Sequence, residues 1–258
     1  MPETNERSLL VELKDVHKFY GSVHALRGVD LKVYKGEVIG LVGDNGAGKS
    51  TLIKVLGGIS SLDEGEIIWE GNRVKISSPK DARKLGIEIV FQERTLIDYF
   101  TASQNIFLGR EECKNFGIVK IIDYNRMNEI AADVLRGIGL KVLPTQEARF
   151  CSGGEQQGIE VARAVHFKAK LVILDEPTRG LSVAAVESVL NFVKALKNEG
   201  IACIFVTHNL NHVHPVADRI VMLSRGVKIL DTKKENVSIK DIEKIIKESS
   251  AKLGGVSG

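Results

Sequence analysis

The stretch Gly43-Asp44-Asn45-Gly46-Ala47-Gly48-Lys49-Ser50-Thr51 constrains this chain more than any other, because it fits the G-x-x-x-x-G-K-[ST] pattern of a phosphate-cradling loop. The apolar run Val38 to Val42 precedes it, and a helix-like segment, Ser50 to Leu56, follows and is closed by Gly57-Gly58. Glycines at 43, 46 and 48 let the backbone turn its N–H groups inward around phosphate oxygens, at the positive end of the following helix. In that arrangement Lys49 reaches the β- and γ-phosphates and Ser50 binds Mg²⁺. A ligand-free glycine turn would explain neither the lysine nor the hydroxyl. The loop therefore implies a strand-loop-helix unit and a nucleoside triphosphate.

A length of 258 residues suits one large domain or two small lobes. No apolar run approaches the roughly 20 residues that span a bilayer, and Met1 to Arg7 is polar, so a cytosolic protein is expected. Cys113, Cys151 and Cys203 lack C-x-x-C spacing, which suggests neither a disulfide framework nor a zinc site and leaves reduced thiols in packing positions. A net charge of +3 is too small to imply nucleic acid or an anionic membrane surface, so membrane contact is expected to run through a partner protein.

Leu9 to Phe19, Val23 to Val33 and Glu66 to Val74 carry alternating or β-branched apolar residues, with Gly71-Asn72 as a hairpin turn, and predict a small antiparallel sheet. Ile87 to Phe91, Leu171 to Leu174 and Ile201 to Val206 are nearly continuous apolar runs, as expected of parallel strands covered on both faces. Helical patterns fall at Ile159 to Phe167, Val183 to Lys197 and Ile239 to Lys247. The fold class is thus α/β, a P-loop core with a parallel sheet, an N-terminal antiparallel β-subdomain and an inserted helical subdomain. Residues 1–258 divide approximately into a core with the β-subdomain (8–97 and 166–248), a mostly helical lobe (98–165) and a loose tail (249–258).

Leu171-Val172-Ile173-Leu174-Asp175-Glu176 is an apolar strand ending in two carboxylates, which a phosphate-loop enzyme needs for two tasks. Asp175 can hold Mg²⁺ and Glu176 can polarise the attacking water. Cys151-Ser152-Gly153-Gly154-Glu155 precedes a helical pattern with capping-box spacing, yet capping does not call for two adjacent glycines. A second helix N-terminus able to receive a γ-phosphate accounts for them. His208-x-x-x-His212-x-His214 invites a metal reading that no cysteine or carboxylate cluster supports.

Taken together, these motifs resemble the nucleotide-binding subunit of an ABC transporter, over nearly the whole chain and in the family's order. The resemblance implies that Tyr20 stacks on adenine, that Gly43 through Thr51 hold the phosphates, and that Ser152, Gly153 and Gly154 form the signature motif. It implies Ser50, Gln92 and Asp175 around Mg²⁺, and Glu176, Gln92 and His208 as the catalytic set. Taken by residue type alone, Tyr20 is equally a half-buried sheet residue and Gln92 any strand-end amide. Cys151, Glu155 and Ser182 depart from the family's usual leucine, glutamine and aspartate, and Ser182 puts in question how that loop couples two sites. The implied assembly is a head-to-tail homodimer with ATP and Mg²⁺ at each interface. It docks on integral permease subunits at the cytoplasmic face, works indirectly with a solute-binding protein, and involves no nucleic acid.

Gln92-Glu93, the run Thr101 to Glu111 and Asp175-Glu176-Pro177-Thr178 with Leu181-Ser182 look like bacterial ribose- and galactose-type importer ATPases, which implies sugar uptake. Import of branched-chain amino acids or another small solute, and a soluble ATPase without a permease, are the alternatives. Asn105 and Phe107 are candidate permease contacts, with ordinary helix packing as the other reading.

Overall fold

A computed structural model describes residues 8–90, 96–117, 119–180 and 182–251. The chain runs β1 (Leu9–Tyr20), β2 (Val23–Tyr34), β3 (Val38–Val42), α1 (Lys49–Leu56), β4 (Glu64–Trp69), β5 (Asn72–Val74), α2 (Pro79–Leu85) and β6 (Ile87–Val90). It continues through α3 (Ala102–Phe107), β7 (Cys113–Phe116), β8 (Val119–Ile122), α4 (Tyr124–Gly137) and α5 (Gly153–His166). The last third holds β9 (Leu171–Asp175), α6 (Val183–Asn198), β10 (Ala202–Val206), α7 (Leu210–Val213), β11 (Arg219–Ser224), β12 (Val227–Lys233) and α8 (Ile239–Ala251).

The central sheet has the order β12-β11-β3-β10-β9-β6, parallel except for β12, which folds back antiparallel on β11. Strands β3 and β10 are buried at every position, as their unbroken apolar runs require of strands covered on both faces. One face packs on a core shared with the antiparallel sheet β2-β1-β4-β5 and α1, through Leu52, Ile53, Ile173 and Ile204. The other face packs Val172, Cys203 and Phe205 against α6 and α8 through Val193, Leu196 and Ile242. This topology sets the C-terminal ends of β3, β10 and β9 side by side, where ligands gather in open α/β sheets.

The inserted helical lobe has its own core of Ile106, Phe107, Met127, Ala131, Leu135 and Ile159, joined by Leu96 and flanked by Phe167. Capping boxes start two of its helices: Thr101 with Gln104 on α3, and Ser152 with Glu155 on α5. The lobe also contains the antiparallel hairpin β7–β8, where the sequence pattern predicts mainly helix. Asn105 and Phe107 are 1% and 0% exposed. Asn105 donates to the carbonyls of Ile97, Phe100 and Thr101 and accepts from the Ile97 N–H. Both residues therefore hold the lobe together from inside, and the expectation of direct permease contacts at these positions is corrected to helix packing. A part-buried ion pair ties the lobe to the core: Arg110, just after α3, meets Glu88 of β6, with its guanidinium 4.2 Å from the Phe167 ring.

The C-terminal helix extends to Ala251, past the start of the tail expected at Ser249, because Ser238 and Asp241 cap its N-terminus reciprocally and Ile242, Ile245 and Ile246 pack on the core. Residues 252–258 lie outside the described residues. Cys151 and Cys203 are buried free thiols, whereas Cys113 is exposed on β7 rather than in a packing position. Among the described residues no helix is long and apolar enough to cross a membrane.

The two main sheets are clamped by Arg219 of β11. Its Nε donates to Glu37 at 2.7 Å and its Nη1 to Asp231 of β12 at 2.6 Å, while Nη2 reaches the Lys32 carbonyl of β2. Glu37 is 5% exposed, so removing the arginine strands a buried carboxylate. Arg219→Ala is expected to cost about 3–5 kcal/mol of stability. In urea unfolding, Glu37→Gln in the same chain should return part of that loss, and additive losses would show the pair to be uncoupled.

Candidate nucleotide site

Residues 43–51 join β3 to α1 across a cleft of 960 Å³. Gly43 has φ 143°, and a Cβ there would lie 2.3 Å from the Leu223 carbonyl oxygen of β11, so only glycine lets the loop pass. The turn between β11 and β12 fixes the other side, since the Gly226 N–H donates to the Ala47 carbonyl at 2.9 Å. Gly48, at φ 102°, places α1 with its first N–H groups toward the cleft.

Lys49 is 8% exposed, and its ammonium donates to the Gly43 and Asp44 carbonyls at 2.7 and 2.9 Å. Burial pushes its pKa below the ordinary lysine value, against the opposing fields of Glu176, Asp175 and Asp44. Asp175 ends β9 opposite Val206 of β10. Burial and then the like charge of Glu176 raise its carboxyl, while Lys49 pulls it down.

Glu176 takes a left-handed φ of 50°, which costs a non-glycine residue on the order of 1 kcal/mol. Its N–H donates to the Val206 carbonyl at 2.9 Å, and three donors hold its carboxylate: Thr207 Oγ1 at 3.3 Å, the His208 N–H at 3.2 Å and His208 Nδ1 at 2.8 Å. The adjacency of β9 and β10 thus converts two motifs 32 residues apart into one hydrogen-bonded unit. The three histidines of the 208–214 run go to different partners. His212 Nδ1 meets Thr178 Oγ1 at 2.9 Å, and His214 Nε2 faces the Val237 carbonyl at 3.4 Å.

Tyr20, Gly43 through Thr51, Asp175, Glu176 and His208 all line the one cleft. Tyr20 is the last residue of β1, 45% exposed, with its hydroxyl donating to Ser60 Oγ at 3.3 Å. Gln92 lies outside the described residues. Ser152, Gly153 and Gly154, at the start of α5, are not among the residues lining this cleft. Ser50, exposed in the first turn of α1, and the half-buried Asp175 carboxylate supply oxygen donors of the kind a hard divalent cation takes. Sequence reasoning missed His24, Arg27, Arg179 and Arg225 in the lining. Their one-letter signal is weak, and only the hairpin pairing of β1 with β2 and of β11 with β12 carries His24 and Arg225 to the rim.

Residues 26–179 match the family model described as ABC transporter. The chain belongs to the ABC transporter family. It is the family's ATP-binding domain, a nucleotide-binding cassette. It is similar to the xylose/arabinose import ATP-binding protein of Sulfolobus acidocaldarius, at 41% identity over 96% of this cassette and 97% of that protein. It is also similar to the ribose import ATP-binding protein of Clostridium tetani, at 38% identity over 91% of this cassette and 47% of that protein, so it spans about half of that longer chain. Among solved structures it resembles the dimeric post-hydrolysis state of the ATP-binding cassette MJ0796 bound to ADP and Pi. The TM-score is 0.72 and the identity 27%, over 87% of this cassette and 99% of that chain.

Because the loop passes Leu223 with no space for a methyl group, Gly43→Ala is expected to lower stability by about 1–3 kcal/mol and to weaken nucleotide binding. Thermal unfolding and a titration with ATP check both effects, and a wild-type response in both would contradict the backbone packing described.

Proposed function

We propose that this cassette is the ATP-binding and ATP-hydrolysing subunit of an importer that takes up a sugar, pentoses being the class that both relatives' names carry. The observation that carries the reading is the convergence of Lys49, Asp175, Glu176, His208 and Tyr20 on one cleft. In this reading Tyr20 stacks on the adenine, and the backbone of residues 43–51 with Lys49 and Thr51 holds the phosphates. Ser50, Asp175 and Gln92 hold Mg²⁺, which when bound neutralises phosphate charge. Glu176 orients the attacking water, and Lys49 and His208 stabilise charge on the γ-phosphate.

Ser152, Gly153 and Gly154 lie away from this cleft and so serve a second copy, each site being completed head to tail across a homodimer. The dimeric state of MJ0796 supports that arrangement. Closing and reopening of the dimer would drive permease subunits from the cytoplasmic face, with a solute-binding protein delivering the sugar. The division of the chain into a core, a helical lobe and a terminal tail belongs to the same proposal, the lobe carrying the signature motif to the partner copy.

Glu176→Gln is expected to keep ATP affinity, to lower turnover by about 10²- to 10⁴-fold and to accumulate a dimer in ATP. Equilibrium binding, phosphate release and size-exclusion chromatography measure the three, and wild-type turnover would remove Glu176 from the mechanism. Affinity capture from native membranes with the same variant in ATP tests the importer reading. An integral permease together with a sugar-binding protein is the expected catch, and ribosomal proteins in their place would refute it.

A further inference from the structure

Behind the reacting groups, a chain of hydrogen bonds joins the turn after β9 to the turn after β10, and the mechanism above uses only one end of it. At that end Thr207 Oγ1 donates to Glu176 Oε2 at 3.3 Å and accepts from the Asn209 N–H at 3.0 Å. At the other end Asn209 Nδ2 lies 3.2 Å from His212 Nε2, and His212 Nδ1 lies 2.9 Å from Thr178 Oγ1. Thr178 and Thr207 are buried and His212 is half-buried, so little water competes for these bonds.

The partners dictate the tautomer of His212. Asn209 Oδ1 accepts from the Asn211 N–H at 3.1 Å, which turns the amide so that Nδ2 faces the ring. That nitrogen only donates, so His212 Nε2 accepts and, in the uncharged ring, Nδ1 carries the proton given to Thr178. His212 thus bridges two turns with one acceptor and one donor, each matched to a partner of the opposite kind.

The far end of this bridge sits in a strained piece of backbone. Glu176 is left-handed at φ 50°, and Glu176-Pro177-Thr178-Arg179 closes as a turn in which the Arg179 N–H donates to the Glu176 carbonyl at 3.1 Å. A non-glycine residue keeps such a φ only where its surroundings over-determine it. Thr207 and His208 do so on the carboxylate side. On the side of the turn, the bond from His212 to Thr178 supplies a side-chain anchor.

We propose that His212 is a positioning residue for hydrolysis: by stapling Thr178 to Asn209 it holds the 176–179 turn against the 207–212 turn and so fixes where the Glu176 carboxylate stands. The inference rests on Glu176 being the water-orienting group proposed above. His212 is not among the residues lining the cleft, so it acts through its neighbours. Loss of the staple frees the turn to relax toward ordinary backbone, which swings the Glu176 carboxylate while leaving Lys49 and the phosphate loop in place.

The test is phosphate release by the purified chain in mildly alkaline buffer, where imidazole is uncharged, with competent sites counted by ATP-binding stoichiometry. His212→Leu keeps the bulk and removes both bonds. It is expected to lower kcat about 10- to 100-fold, the scale of misplacing a catalytic group by about an ångström, with ATP affinity unchanged. His212→Asn, whose Nδ2 can stand where the ring Nδ1 donates, should recover most of that loss. Thr178→Val breaks the same bond from the other side, so combining it with His212→Leu should cost no more than the larger single loss. In the Glu176→Gln chain, His212→Leu should leave the residual single-turnover rate unaltered, because the group it positions is already gone. A wild-type kcat in His212→Leu, a loss carried by ATP affinity, no recovery in His212→Asn, additive losses with Thr178→Val or a further fall in the Glu176→Gln chain would each overturn the proposal. Wild-type turnover in Glu176→Gln alone would instead overturn the hydrolytic reading beneath it, which keeps the two failures distinct.

Discussion

Backbone packed directly on backbone is the constraint from which the rest of this site follows. The phosphate loop crosses β11 at Gly43 with no space for a side chain, and the Gly226 N–H and carbonyl then bind Ala47 on one side and the Arg27 N–H on the other. One turn thereby fastens the loop, the central sheet and the antiparallel sheet at a single seam. Peptide groups cannot be shortened or rotated as side chains can, so the loop has one path, and Lys49 donates its ammonium to two carbonyls of that path.

The charges at the C-terminal ends of β3 and β9 are held in a balance. Burial disfavours the Lys49 ammonium while Glu176, Asp175 and Asp44 favour it, and burial together with the neighbouring Glu176 charge disfavours an ionised Asp175. In the proposed function a triphosphate would bring anionic oxygens to the lysine, and its divalent cation would offset the two carboxylates. The left-handed backbone of Glu176 and its three hydrogen-bond donors keep that carboxylate from turning away to relieve the repulsion.

Much of this was legible in the sequence because chemistry restricts the residues. The loop glycines, Lys49, Asp175-Glu176 and the capping-box pattern at Ser152 each announce a geometry, and the unbroken apolar runs announce buried parallel strands. Other elements were silent for physical reasons. Arg219–Ser224 is a short apolar run with no flanking motif, and β12 is a half-exposed edge strand, so neither stands out although together they fasten the loop. The hairpin β7–β8 buries little, with Val119, Ile121 and Ile122 exposed, and a two-stranded ribbon without a hydrophobic face leaves a weak alternation signal. His24, Arg27 and Arg225 reach the cleft only through strand pairing, and pairing is a long-range property that local composition does not encode.

The ion pair between Glu88 and Arg110 has a mechanical meaning. Their side chains are 9% and 20% exposed and Phe167 covers the guanidinium, so the contact escapes most of the solvent screening that weakens surface ion pairs. Strand β6 and the head of the lobe are consequently riveted together. A swing of the lobe that keeps this rivet must carry β6 along or bend the chain beyond it, so a push on the lobe arrives at the central sheet as strain on its outermost parallel strand.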